Sequence, residues 1–155
     1  MSPLPLPLFF VATLSQIADW RLANFGTTDP SGSAASTVVG RDGISNLTKF
    51  AFNMSVSDGV LWLAPGTGQA GLPSITVAPQ TQLLRVEFVR RKSASSPQLT
   101  YEVQFSSDLG GFAPAGSAVQ VTSLDSVWER VIWEDAPSPS ASASRFARVK
   151  IVELP

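Results

Sequence analysis

Asp42, Asn46 and Lys49 are the residues whose types and spacing come nearest to a built chemical site. They lie in Gly40-Arg41-Asp42-Gly43-Ile44-Ser45-Asn46-Leu47-Thr48-Lys49-Phe50-Ala51-Phe52. A helix-flanked calcium loop takes oxygen ligands at its first, third, fifth, seventh, ninth and twelfth positions, with glycine sixth for a sharp turn. If Asp42 is fifth, Gly43 is sixth, Ile44 offers a carbonyl, Asn46 an amide, and Lys49 puts an ammonium twelfth. Val38 and Gly40 then occupy the first and third positions, where carboxylates belong. Too little negative charge remains to displace the hydration shell of a hard dication, and Lys49 adds repulsion. The expected loop is therefore metal-free, with the Lys49 ammonium in the ion's place, contacting Asp42 and loop carbonyls. Neither calcium nor another cofactor is expected.

Other residues offer weaker chemistry. Trp62, Trp128 and Trp133 have flat faces on which sugar rings stack, and the candidate glycan site is Trp128 with Trp133. These two are five residues apart, so a regular strand sends them to opposite faces and leaves at least one outward or at an edge. Trp20, Trp62 and one of that pair are otherwise expected in packing roles. Glu129, Glu134 and Asp135 are the local carboxylate cluster, but Glu129 and Glu134 also fall on opposite faces, and a glycosidase needs two carboxylates across one cleft. Arg90-Arg91-Lys92 has no interleaved aromatics and reads as edge protection. Asp108, in Ser106-Ser107-Asp108-Leu109-Gly110-Gly111-Phe112, suits an Asx-type turn at a strand corner.

Composition narrows the classes further. The 155 residues hold no cysteine and no histidine, which excludes disulfides, thiolate nucleophiles, Cys/His zinc sites and Ser-His-Asp triads. Charged residues are 15% of the chain and the formal net charge is −1, so no basic footprint for nucleic acid exists. Few charges among many small polar residues lean toward extracellular or cell-surface β-proteins. No apolar run reaches the roughly 18 to 20 residues that cross a bilayer, and membrane insertion is not expected. No Lys or Arg precedes Arg21, so Met1 to Phe10 is not expected to be a secretion signal. Its alternating prolines Pro3, Pro5 and Pro7 favour an extended linker or arm over residues 1–11.

These residues must be positioned by two kinds of element. Ala12 to Phe25 has approximate helical spacing, with Ser15 as a possible cap and Gly26 at its end. Ser45 or Asn46 starts a second helix through about Asn53. The two form a helix-loop-helix cap over residues 12–55. From residue 56 onward the period becomes two. In Leu99 to Ser106 every odd residue is apolar and every even one polar, the pattern of a half-buried strand. Leu84 to Phe88 and Ala147 to Ile151 alternate likewise. Val60 to Leu63, Ser74 to Val77, Ala118 to Thr122 and Val127 to Trp133 complete the set. The fold class is mainly β: an antiparallel β-sandwich of about seven strands over residues 56–155. Trp20, Phe25, Leu47 and Phe50 are expected to join cap to sandwich. Ala136 to Ser144, rich in Pro, Ser and Ala, is an expected exposed connection.

The order of these motifs resembles a C-terminal accessory module of large secreted or surface proteins of Verrucomicrobia and related bacteria. The resemblance rests on Trp20 with Phe25-Gly26, on Asp42-Gly43-Ile44-Ser45-Asn46-Leu47 with Lys49-Phe50-Ala51, on Leu72-Pro73 and on Phe88-Val89-Arg90-Arg91. Tyr101 to Leu109 and Arg145-Phe146 extend it to roughly residues 17–152. It implies a calcium-bearing helix-loop-helix packed on a sandwich, from which this loop departs at Lys49. The function expected is a non-catalytic structural, anchoring or interaction module, partnered by other domains or subunits of a surface assembly. Alternatives are glycan binding by Trp128 and Trp133, or self-assembly through a sheet edge or the N-terminal arm.

Overall fold

A computed structural model describes residues 15–57, 59–95, 97–136 and 144–154. The expected arm of residues 1–11 and most of the Ala136–Ser144 connection lie outside the described residues. The order of elements is α1 (Gln16–Phe25), α2 (Asn46–Ala51), β1 (Ser74–Val77), β2 (Leu84–Arg91), β3 (Leu99–Ser106), β4 (Ala113–Pro114), β5 (Gln120–Ser123), β6 (Trp128–Glu134) and β7 (Phe146–Glu153).

Local chemistry sets the helix ends. The Ser15 hydroxyl accepts from the Ala18 N–H at 3.3 Å, and Gly26 closes α1 in the left-handed conformation with its N–H on the Leu22 carbonyl. Ser45 caps α2 in the same manner, accepting from the Thr48 N–H at 3.2 Å. At six residues α2 is too short to persist alone, so its helicity depends on what it buries. Phe50 and Ala51 are fully buried, in a cluster with Ile17 and Leu99 on which Trp20, Leu47, Tyr101 and Ile151 pack.

The strands form two antiparallel sheets, ordered β1-β2-β6-β5 and β4-β3-β7. Between them lies the main core of Val86, Phe88, Val103, Phe105, Val131 and Trp133, joined by Ile44, Phe52 and Met54 from the helical segment. The molecule is thus a mainly β sandwich carrying a small N-terminal helical part. One expected strand is absent and one unexpected strand is present. Val60 to Leu63 forms no strand and makes only an isolated parallel bridge, Trp62 with Leu72. Its backbone instead crosses the outer face of the first sheet, where Leu63 packs with Val89 and Trp128. The two-residue β4, which carries no alternation to read, makes up the count of seven.

Candidate functional site

In the loop, Lys49 forms a salt bridge to Asp42 Oδ2 and donates to the Val56 carbonyl at 2.9 Å. The Lys49 side chain is 3% exposed and that of Asp42 12%. Ile44 N–H donates to Asp42 Oδ1 at 3.0 Å, closing an Asx turn around Gly43, which sits at φ 79°. The Lys49 ammonium and the Ile44 amide hold the Asp42 carboxyl below its ordinary range. Gly40 leaves room for the pair, since a Cβ there would lie 2.7 Å from Asp42 Oδ1. Asn46 turns its amide N–H groups onto the Ser33 and Ala35 carbonyls, both at 2.9 Å, and so braces the preceding loop. The donor set does not fit a calcium ion: a cation already holds the one loop carboxylate, and Asn46 is turned to donate. The carbonyl on Lys49 belongs to Val56, beyond both the loop and α2, so the lysine also ties the helix to the chain leaving it.

Arg91 occupies the junction of cap and sheet. Its guanidinium lies 3.9 Å from the Phe50 ring centroid and 4.3 Å from that of Trp128. It donates to Gln16 Oε1 at 2.7 Å and to the Phe50 carbonyl at 3.4 Å. Burial pulls its pKa down to about 10. Beside it, the Tyr101 hydroxyl donates to the Ala51 carbonyl at 2.7 Å and accepts from the Arg91 N–H, and burial pushes its pKa up to about 12. The expected edge-protecting role of this run is therefore corrected, since β2 lies between β1 and β6. Arg90 pairs with Glu129 at 2.7 Å, Arg91 clamps both helices, and Lys92 donates to Ser123 Oγ and the Asp125 carbonyl. Three adjacent cations read alike in one dimension, but a strand end under a helical cap gives each a different neighbour.

The carboxylates are also spent on structure. Glu129 and Glu134 pair with Arg90 and Arg85, their cross-strand partners on β2. Asp135 receives both nitrogens of a fork from Arg145, at 2.5 and 2.6 Å. Glu87, 4% exposed, lies 3.3 Å from Arg130 Nε and accepts from the Gly66 N–H, which pins the 61–71 segment to the sheet. Asp108 accepts from Gly110 and Gly111, both at 2.7 Å, as the corner suggested. Among the described residues no group of three or more Asp or Glu is placed to hold a metal.

The glycan candidates Trp128 and Trp133 are both buried, at 9% and 7% exposure. They do face opposite ways: Trp133 stacks on Phe88 at 5.4 Å in the main core, and Trp128 joins Leu63 and Val89 on the other face. Trp128 does take the outer face, as strand period requires of one of the pair, but the 61–71 segment covers it, so neither ring is left exposed. The exposed tryptophan is Trp62, at 63%. It borders a groove of about 290 Å³ with Phe52, Leu72, Pro73, Ile75 and Val149. Nothing in the sequence distinguishes Trp62, since its exposure follows from the path of an irregular segment.

The fold and these contacts define a helix-capped antiparallel β-sandwich, many of whose ionic groups are paired with one another. No family model, curated protein or solved structure matches the chain.

Proposed function

We propose that this chain is a non-catalytic structural and interaction module of a bacterial surface protein, working outside the cell. One observation carries the reading: the carboxylates singled out as candidates for acid-base or metal chemistry are held by cations or backbone N–H groups, whereas among the described residues the Trp62 groove is left open. A site that does acid-base work keeps a group free to exchange protons with its substrate. Here Asp42, Asp108, Glu129, Glu134 and Asp135 are tied into architecture instead. The Lys49–Asp42 pair does the work that an ion does in a calcium loop, holding the turn against α2 without a metal. The low charge content and the resemblance to accessory modules support the extracellular setting.

Glycan binding, moved to Trp62, is the weaker alternative. Thr48 supplies the side-chain hydroxyl of the groove, and its Oγ1 is already hydrogen-bonded to Ser45. A sugar offers many hydroxyls to such a surface, and an apolar partner fits it better. Protease treatment of intact cells producing the chain tests the setting. Peptides from residues 59–95 should be released without lysis, and their release only after lysis overturns it. Binding to a glycan array that disappears in Trp62→Ala would favour the alternative.

A further inference from the structure

The two sheets differ by one strand, and the mismatch leaves a slot. Ile75 and Val77 stand opposite Val86 and Leu84 in register, so their side chains face the second sheet, yet they are 48% and 57% exposed. Across from them are Val149 and Ile151 of β7, with Trp62 and Pro73 at the side. Among the described residues β7 has no strand partner along this edge.

The hydrogen-bond phase of that edge can be read. Leu154 N–H donates to the Gln98 carbonyl at 2.7 Å, one step beyond the Leu99–Glu153 pair. In an antiparallel ladder bonded and non-bonded pairs alternate. Val152, Lys150 and Arg148 therefore bond to β3, and Ala147, Val149 and Ile151 direct their N–H and C=O groups into the slot. These are the residues whose side chains face the core. A strand added antiparallel there bonds through its own inward-facing residues, and its alternate residues point both side chain and N–H to solvent. A parallel strand would instead bond through its outward-facing residues.

The chain contains a segment with that two-fold requirement, Pro3-Leu4-Pro5-Leu6-Pro7-Leu8. With Leu4, Leu6 and Leu8 inward, every ladder N–H comes from a leucine, and every missing N–H falls on the solvent side, where proline is tolerated. The leucines would cover Ile75, Val77 and Trp62. Ile17, close to the first described residue, shares a cluster with Ile151, so α1 begins beside the Glu153 end of β7. An antiparallel segment carries Leu8 toward the opposite, Phe146 end, away from its own α1. A segment arriving from another molecule needs no such return.

We propose that the slot beside β7 receives Pro3–Leu8 of a second copy of this chain, so that two copies exchange arms. The proposal rests on the interaction-module reading and names its partner. Light scattering of the full chain over a concentration series tests it, with two substitutions of opposite expectation. Leu6→Pro removes a ladder donor while keeping an apolar side chain, and should weaken the dimer by about 100-fold, counting both arms. Pro5→Ala, outward in the slot, should leave the dimer intact. Amide exchange at Val149 and Ile151 should be slow in the parent chain and fast in Leu6→Pro, with circular dichroism unchanged. A chain monomeric at every concentration overturns the proposal, as does equal behaviour of the two variants. Slow exchange in a monomer assigns the arm to its own copy and overturns the exchange. Release of peptides from intact cells is unaffected by either result, so the two readings fail separately.

Discussion

Lys49 places its ammonium on the carboxylate of Asp42, at the spot where the register of a calcium loop calls for its bidentate glutamate. The bridge closes the turn around Gly43 and reaches on to the Val56 carbonyl, so one side chain joins three segments.

Replacing Lys49 by Met removes the cation and leaves Asp42 with its Asx turn alone. The variant should melt lower by more than about 4 °C, because the lysine is nearly wholly buried. Calcium and chelator should give the same melting temperature for the parent chain. A shift of several degrees between them would contradict the metal-free loop.

Phe50 and Trp20 test how the cap is held. Phe50 is fully buried, and Phe50→Ala should cost about 3 to 5 kcal/mol. Trp20, expected at the centre of this junction, is only half-buried against Phe25 and Phe50, each at 5.8 Å. Trp20→Ala should therefore cost less, about 2 kcal/mol. Urea unfolding of both variants decides it, and an equal or larger loss at Trp20 would reverse the ranking.

Arg91 is held between two rings and bonded through its fork, so lysine is no substitute. Arg91→Lys should lose about 1 to 2 kcal/mol, since the ammonium cannot stack on Phe50 and reach Gln16 together. Full stability in that variant would show that charge alone suffices there.

Tyr101 is the only tyrosine, which gives its titration a clean optical signal. Tyrosinate absorbance should rise near pH 12 in the native chain and near pH 10 when it is unfolded. Its folded pKa is raised and its neutral form is favoured, so this contribution to stability is lost as pH climbs from about 10 to 12. Native ionisation near 10 would mean that the hydroxyl is open to water.

At the acid end the sign is opposite. Asp42, Asp108 and Asp125 are held below their ordinary values, by Lys49, by the Gly111 and Gly110 amides, and by the Trp128 and Val127 amides respectively. Their contribution is present above the unfolded carboxyl range near pH 4 and is lost as pH falls through the depressed values. Asp108→Asn should flatten that acid limb of the melting curve, and an unchanged limb would remove Asp108 from the account.

Several features were legible because they are local. The Ser15 and Ser45 caps, the Gly26 stop and the alternation of Leu99 to Ser106 depend on bonds within a few residues, and each reads directly from residue type. The opposite facing of Trp128 and Trp133 was equally readable from strand period. What covers each face was not. The 61–71 segment lies over Trp128 through Leu63, and Gly66 is bonded to Glu87 and Arg130 of the sheet, pairings between residues far apart in the chain.

The amino-acid sequence by itself determined the sandwich class, the helix caps and the excluded chemistries, because period, capping and composition act through near neighbours. Only the tertiary structure decided that Trp62 is bare while Trp128 is covered, that Arg91 is a clamp, and that β7 pairs on one side only among the described strands. Burial and strand pairing belong to distant segments meeting in space, and no local pattern records which segment arrives.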